Sequence, residues 1–241
     1  MIQYLLKSAD FSGLFRFISP SFFKVVSPQV MFQIGTQILR NQKDLKTWEQ
    51  IQKSHREGFD LLGLNVGLPG AQTPSPRDLG HRTLELFFYQ ILTQETWIVD
   101  LRTEAFEVHP GGVDWKPKAY YFKVQPQFLE GVRSLYRGFY LGDDALFDSA
   151  LKQLKMDPAR ESFRAHFGLG DQSSVMFRLK EFQNTFTHIF DACAKEGNRL
   201  QGDFFVLGVM LVGLYERLET LNVPMNARAC FDTVAQKVGP Q

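Results

Sequence analysis

Twenty-three phenylalanines among 241 residues, many of them recurring at steps of three and four, constrain this chain more than any other feature. Aromatic side chains at helical spacing line one face of a helix, and that face has to be hidden from water, so a mainly α fold of packed helices is expected. The sharpest pattern begins at Asp171, where Val175, Leu179, Phe182, Phe186, Ile189 and Cys193 form a heptad stripe. Phe204, Leu207, Leu211, Leu214, Leu218 and Leu221 answer it across the loop EGNRLQGD. Two facing stripes joined by a short loop predict a C-terminal antiparallel helical hairpin.

Local punctuation places the other elements. Ser19-Pro20 and Ser27-Pro28 each pair a capping residue with a proline suited to a first helical turn. Asp44 can cap a helix reaching Leu62, with Leu45, Trp48, Ile51, His55, Phe59 and Leu62 on its packed face. A lone histidine on such a face reads as a core or boundary residue. Residues 63–76 are rich in glycine and proline and mark a boundary between an N-terminal Phe-rich segment, 1–62, and a main helical domain, 76–241. Ser75-Pro76 opens a helix to about Gln94, and Pro126 opens one that buries Phe128, Leu129, Val132, Leu135, Tyr136 and Phe139. Shorter helices are expected over 143–155 and 158–167. The one strand-like region lies near residues 96–124, where TWIVDLRTEAFEV and KAYYFKV flank a Gly-Gly pair and predict a small antiparallel β-hairpin.

Charge narrows the function classes. With 27 basic and 26 acidic residues the net charge is +1, which lacks the cationic footprint that dominates nucleic-acid affinity; no nucleic-acid partner is expected. Asp10, Arg16, Lys24 and Arg40 interrupt the early apolar pattern before it reaches the length of a bilayer span. The N-terminus carries one early positive charge, Lys7, and reads as no secretory signal. Cys193 and Cys230 stand far apart and suit buried thiols in a reducing compartment, so a cytoplasmic protein is expected. Phenylalanines and leucines interleaved with Lys7, Arg16 and Lys24 make residues 1–26 either a lid over the core or a contact with a membrane surface.

Reactive motifs are few. Neither phosphate-binding glycine loop is present, there is no G-x-S-x-G elbow, and the S-x-x-K at Ser21–Lys24 lacks its companion motifs. Asp78, His81 and Glu85 share one helix face at i, i+3 and i+7, and with His188 they form the candidate metal set, for which iron or manganese is the appropriate ion. Their bland reading is favourable charge in the first helical turns with His81 at the boundary. Asp100 and Arg102 form the second candidate, because a carboxylate within an apolar strand costs free energy unless it is paired or belongs to a site.

The order LFFYQILTQ, IVDLRTEAF, a short turn, YYFKV and LEGVRSLYRGFYLGDDALFDSALKQL, closed by GDFFVLGVMLVGLYERLETL, resembles the C-terminal lobe of UbiB-like (AarF-type) atypical kinases over residues 80–222. The resemblance places Asp100 at a catalytic position. It departs from the family at Ala105, where an asparagine belongs, and at Tyr121-Phe122-Lys123, where a metal-binding aspartate belongs. The first 75 residues hold no counterpart of the nucleotide-binding lobe. What the resemblance implies is a degenerate, pseudokinase-like relative without its magnesium ligands.

The expectation for function is therefore a non-catalytic helical protein that binds a protein partner or an apolar small molecule, with no cofactor. The alternatives are a metal-dependent, oxidase-like helical-bundle enzyme and a peripheral membrane accessory protein handling lipid-soluble metabolites.

Overall fold

The computed structural model describes residues 20–62, 73–110, 112–167 and 174–239. The described residues form ten α-helices and two small antiparallel strand pairs, a mainly α fold as the phenylalanine spacing requires. In chain order these are α1 (Pro20–Val25), α2 (Pro28–Asn41), α3 (Leu45–Leu62), α4 (Pro76–Thr93), β1 (Thr96–Ile98), β2 (Phe106–His109), β3 (Gly112–Trp115), β4 (Tyr121–Lys123), α5 (Pro126–Leu141), α6 (Asp144–Gln153), α7 (Arg160–Phe167), α8 (Leu179–Lys195), α9 (Asp203–Leu221) and α10 (Ala227–Val238).

The helix starts follow the predicted punctuation. The Thr47 N–H donates to Asp44 Oδ1 at 3.1 Å, so the aspartate caps α3. At α4 the Ser75 hydroxyl and the Asp78 carboxylate exchange hydrogen bonds with each other's backbone N–H, a reciprocal cap with Pro76 in the first turn. Gly142, at φ 75°, ends α5 in the left-handed conformation, and Asp143 then caps α6 through the Leu146 N–H at 2.9 Å.

Helices α4 and α9 form the centre. From Leu84 to Leu92 α4 is buried nearly all round, and α9 buries fourteen residues, so neither is a simple amphipathic surface helix. Phe88 sits at the hub, its ring within 6 Å of those of Phe87, Tyr136, Tyr140 and Phe231 from α4, α5 and α10, mostly edge to face. The ring of Phe182 near the start of α8 lies 4.6 Å from that of Tyr215 in the second half of α9, as an antiparallel pair demands. Phe22 of α1 packs edge-on against Phe190 of α8 at 4.9 Å, and α1 and α2 share one continuous core with the helices after residue 76. Phe23 is 46% exposed; residues 1–19 of the predicted lid or membrane contact lie outside the described residues. Among the described residues no helix is long and apolar enough to cross a membrane.

Three details differ from the sequence expectation. The stretch 96–108 does not run as one strand: β1 pairs with β4 (Trp97 opposite Phe122), while β2 and β3 form a separate hairpin (Glu107 opposite Asp114). The break falls at Asp100, whose buried carboxylate is satisfied only if the chain turns back on itself. The helix expected from Asp171 begins instead at Leu179, because Val175 exchanges backbone hydrogen bonds with Met225 at 2.7 and 2.9 Å in a two-residue bridge. Helix α10 had no counterpart in the sequence reading. Its stripe of Cys230, Phe231 and Val234 is short, and its start depends on the Asn226 side chain accepting the Ala229 N–H at 2.9 Å.

Candidate functional site

The turn between β1 and β2 is organised by Asp100, which is 3% exposed. Its Oδ1 accepts from Arg102 Nε at 2.7 Å, and its Oδ2 accepts from Arg102 Nη2 at 3.0 Å and from the Lys118 N–H at 3.0 Å. The Asp100 carbonyl accepts the Trp115 indole N–H at 2.9 Å. One aspartate thus ties β1, the turn after it, and the β3–β4 connection together through charge-assisted, two-pronged bonding. The Arg102 guanidinium also lies 5.8 Å over the Tyr120 ring. Arg133 is occupied elsewhere, with Nε donating to the Ile91 carbonyl at 3.0 Å, where it caps the end of α4. The position that the kinase resemblance assigns to catalysis holds the backbone in place here.

Beside this turn lies an open cleft of about 360 Å³ between α3 and β3. Helix α3 is fixed against the strands by a small separate cluster in which Trp48 stacks on Tyr121 at 5.9 Å together with Ile98, and the end of α2 before it is tied to the same strand by Asn41 Nδ2 donating to the Tyr121 carbonyl at 3.0 Å. Ile98, Trp115 and Pro117 supply the apolar wall, while Gln52, Arg56, Asp60, Asp114 and Lys116 supply the polar rim. Because the Trp115 N–H is bound to the Asp100 carbonyl, the indole contributes its apolar surface to the cleft. Lys116 pairs with Glu107 and with Asp114, so the rim carries balanced charge.

His55 lines this cleft but is 2% exposed. Its Nδ1 lies 2.9 Å from the Ile51 carbonyl, which fixes the proton on that nitrogen. Burial lowers the imidazole pKa against the opposing pull of the Ile51 carbonyl and the Gln90 side chain, so the ring is held neutral. A neutral, backbone-anchored imidazole is a wall of the cleft, which agrees with its reading as a core residue.

The four residues of the candidate metal set fall in different surroundings. Asp78 is exposed and engaged with Ser75 in the α4 cap, which holds its carboxyl below the usual range. His81 accepts the Asn226 N–H at its Nε2 at 3.4 Å, and burial lowers its pKa. Glu85 is half-buried toward α10, and desolvation raises its carboxyl against the pull of Lys237 and Arg82. His188 lies on the exposed side of α8. Among the described residues no group of three or more His, Cys, Asp or Glu side chains is placed to hold a metal ion.

A second cavity, of about 30 Å³, sits inside the aromatic core between Phe88, Tyr136, Phe177 and Tyr215, too small for more than a water-sized occupant. Burial drives the phenols of Tyr136, Tyr140 and Tyr215 well above their ordinary pKa, so all three stay protonated.

Sequence reasoning missed Trp115, Lys116 and Arg56 as lining residues. The polar run QIQKSHRE in α3 was visible, but its partner wall comes from about sixty residues later, and no local pattern links the two. Compared with known proteins, the chain matches no family model, no curated protein and no solved structure.

Proposed function

We propose that this is a non-catalytic helical binding protein whose ligand, a small molecule with an apolar body and polar ends, sits in the cleft between α3 and β3. The observation that carries the reading is the Trp115 wall: an indole whose N–H is satisfied internally and whose apolar surface borders a cleft of about 360 Å³. A volume of a few hundred cubic ångströms with an apolar wall and a few polar groups at the rim is typical of small-ligand sites. Balanced rim charges favour a neutral or zwitterionic ligand over a strongly charged one. The non-catalytic part of the reading is supported by the neutral, anchored His55 and by the two buried thiols. Burial pushes Cys193 up to about 11 and Cys230 higher still, so neither is a nucleophile at physiological pH.

Native mass spectrometry of the purified protein tests the proposal, with Trp115→Ala and Arg56→Glu as variants. A retained small molecule that both variants lose supports it. Stoichiometric iron or manganese, or a ligand retained equally by both variants, overturns it.

A further inference from the structure

Arg217, in the last third of α9, is 5% exposed, and its Nε and Nη2 are buried with no hydrogen-bond partner. Among the described residues no carboxylate pairs with it, and its charged group is matched only by the Phe106 ring, 4.8 Å from the guanidinium carbon. Burial alone lowers its pKa. A cation withdrawn from water without a counter-charge is costly, and one aromatic face offsets little of that cost.

Which edge of the guanidinium stands unmatched is informative. Nε–H and Nη2–H point the same way and together match the two oxygens of a carboxylate. The same fold shows that edge in use: Arg102 presents Nε and Nη2 to Oδ1 and Oδ2 of Asp100. Arg217 presents an identical edge without the acid. A third donor lies on the turn that leads into Phe106, where Thr103 Oγ1 is likewise buried and unpartnered. Helix α9 passes close to this turn at Gly213, where a Cβ would lie 3.4 Å from the Arg102 nitrogen and the Leu101 carbonyl carbon, in ordinary contact. Thr103 and Phe106 are themselves only half-buried, so the guanidinium lies under a thin cover rather than in the deep core.

We propose that Arg217, with Thr103 and the Phe106 ring, forms a binding site for an oxyanion, and that its ligand is a carboxylate carried on an apolar or aromatic body. The site is separate from the α3–β3 cleft and stands or falls without it. Phe106, stacked on Trp115 at 6.5 Å, is the wall between the two.

The test uses the full chain and sodium benzoate, with sodium acetate and sodium phosphate as further probes and sodium chloride at matched ionic strength as control. Benzoate is expected to raise Tm with the logarithm of its concentration, by about 5–10 °C at a hundredfold excess over its Kd, and to move the Arg217 Nε–H resonance of arginine-labelled protein saturably. Arg217→Lys keeps the charge but loses the paired edge and should weaken benzoate at least tenfold. Arg217→Met should fold, with a Tm no lower than the parent and no benzoate response. An equal response to phosphate or acetate supports the oxyanion site and overturns the assignment of its ligand to a carboxylate on an apolar body. The proposal is overturned if benzoate acts no differently from chloride, if Arg217→Lys responds like the parent, or if benzoate moves the Trp115 resonance while the Arg217 signal stays put. Should Arg217→Met fail to fold, the lysine variant decides.

Discussion

Replacing Asp100 by alanine separates a structural aspartate from a site residue. The substitution removes the acceptor of three hydrogen bonds, at 2.7, 3.0 and 3.0 Å, and leaves the Arg102 guanidinium and the Lys118 N–H without it. Breaking a buried ion pair by deleting one partner costs about 3–5 kcal/mol. The lower end applies, because the Arg102 side chain is 16% exposed and can turn toward water while keeping its contact with Tyr120. A loss of about 3 kcal/mol corresponds to a fall in Tm of about 6–12 °C for a chain of this length. In urea the same loss should appear as a lower midpoint at unchanged slope, since the folded surface is the same. The double variant Asp100→Ala/Arg102→Ala supplies the internal control. Residues in direct contact should couple by about 1–3 kcal/mol, so the double variant should be less destabilised than the sum of the two single ones. A single variant within about 1 kcal/mol of the parent, or strict additivity, refutes the role of the Asp100–Arg102 pair in holding the turn. Unchanged stability together with lost ligand binding would make Asp100 a site residue instead.

Three further outcomes follow from the packing. Gly138→Ala places a Cβ 2.5 Å from the Phe147 nitrogen, a backbone atom that cannot swing aside, so α5 and α6 must separate; a loss of about 1–3 kcal/mol is expected by urea denaturation, and a neutral result would refute the close approach. Because burial raises the Glu85 carboxyl, the folded chain holds that proton more tightly than the unfolded chain, and Glu85 costs stability as pH rises above about 4.5. Glu85→Gln should therefore match the parent near pH 4 and exceed it at pH 7; a gain confined to low pH would contradict the sign. Cys193 and Cys230 should resist a thiol-specific disulfide reagent at pH 8 in native protein and react fully in denaturant, and stoichiometric native labelling of either would disprove their burial.

Much of the fold was legible because the signals that set it are local. Pro28, Pro76 and Pro126 all stand at first helical positions, where the missing N–H is harmless, and Asp44, Ser75 and Asp143 cap helices by reaching only three residues ahead. The Phe182–Phe186–Ile189–Cys193 stripe is buried as its spacing demands. The start of α8 escaped because it turns on the Val175–Met225 bridge, a pairing across fifty residues with no local signature, and α10 escaped because its apolar stripe is short although its Asn226 cap is local. Arg217 was a signal in plain view, one guanidinium in the most apolar of the described helices, but its spacing alone did not reveal a buried, unmatched edge.

The sequence by itself determined where α2 to α6 begin and which faces they bury, since capping, proline geometry and a 3.6-residue period act within a turn or two of chain. Only the tertiary structure decided which side chains meet. The Asp100 carboxylate joins Lys118, Trp115 faces α3, and Arg217 lies against the turn after residue 101, each contact spanning from about eighteen to more than a hundred residues. Such meetings are set by the packing of whole helices against one another, because burying aromatic surface is non-directional and fixes no particular pair in advance.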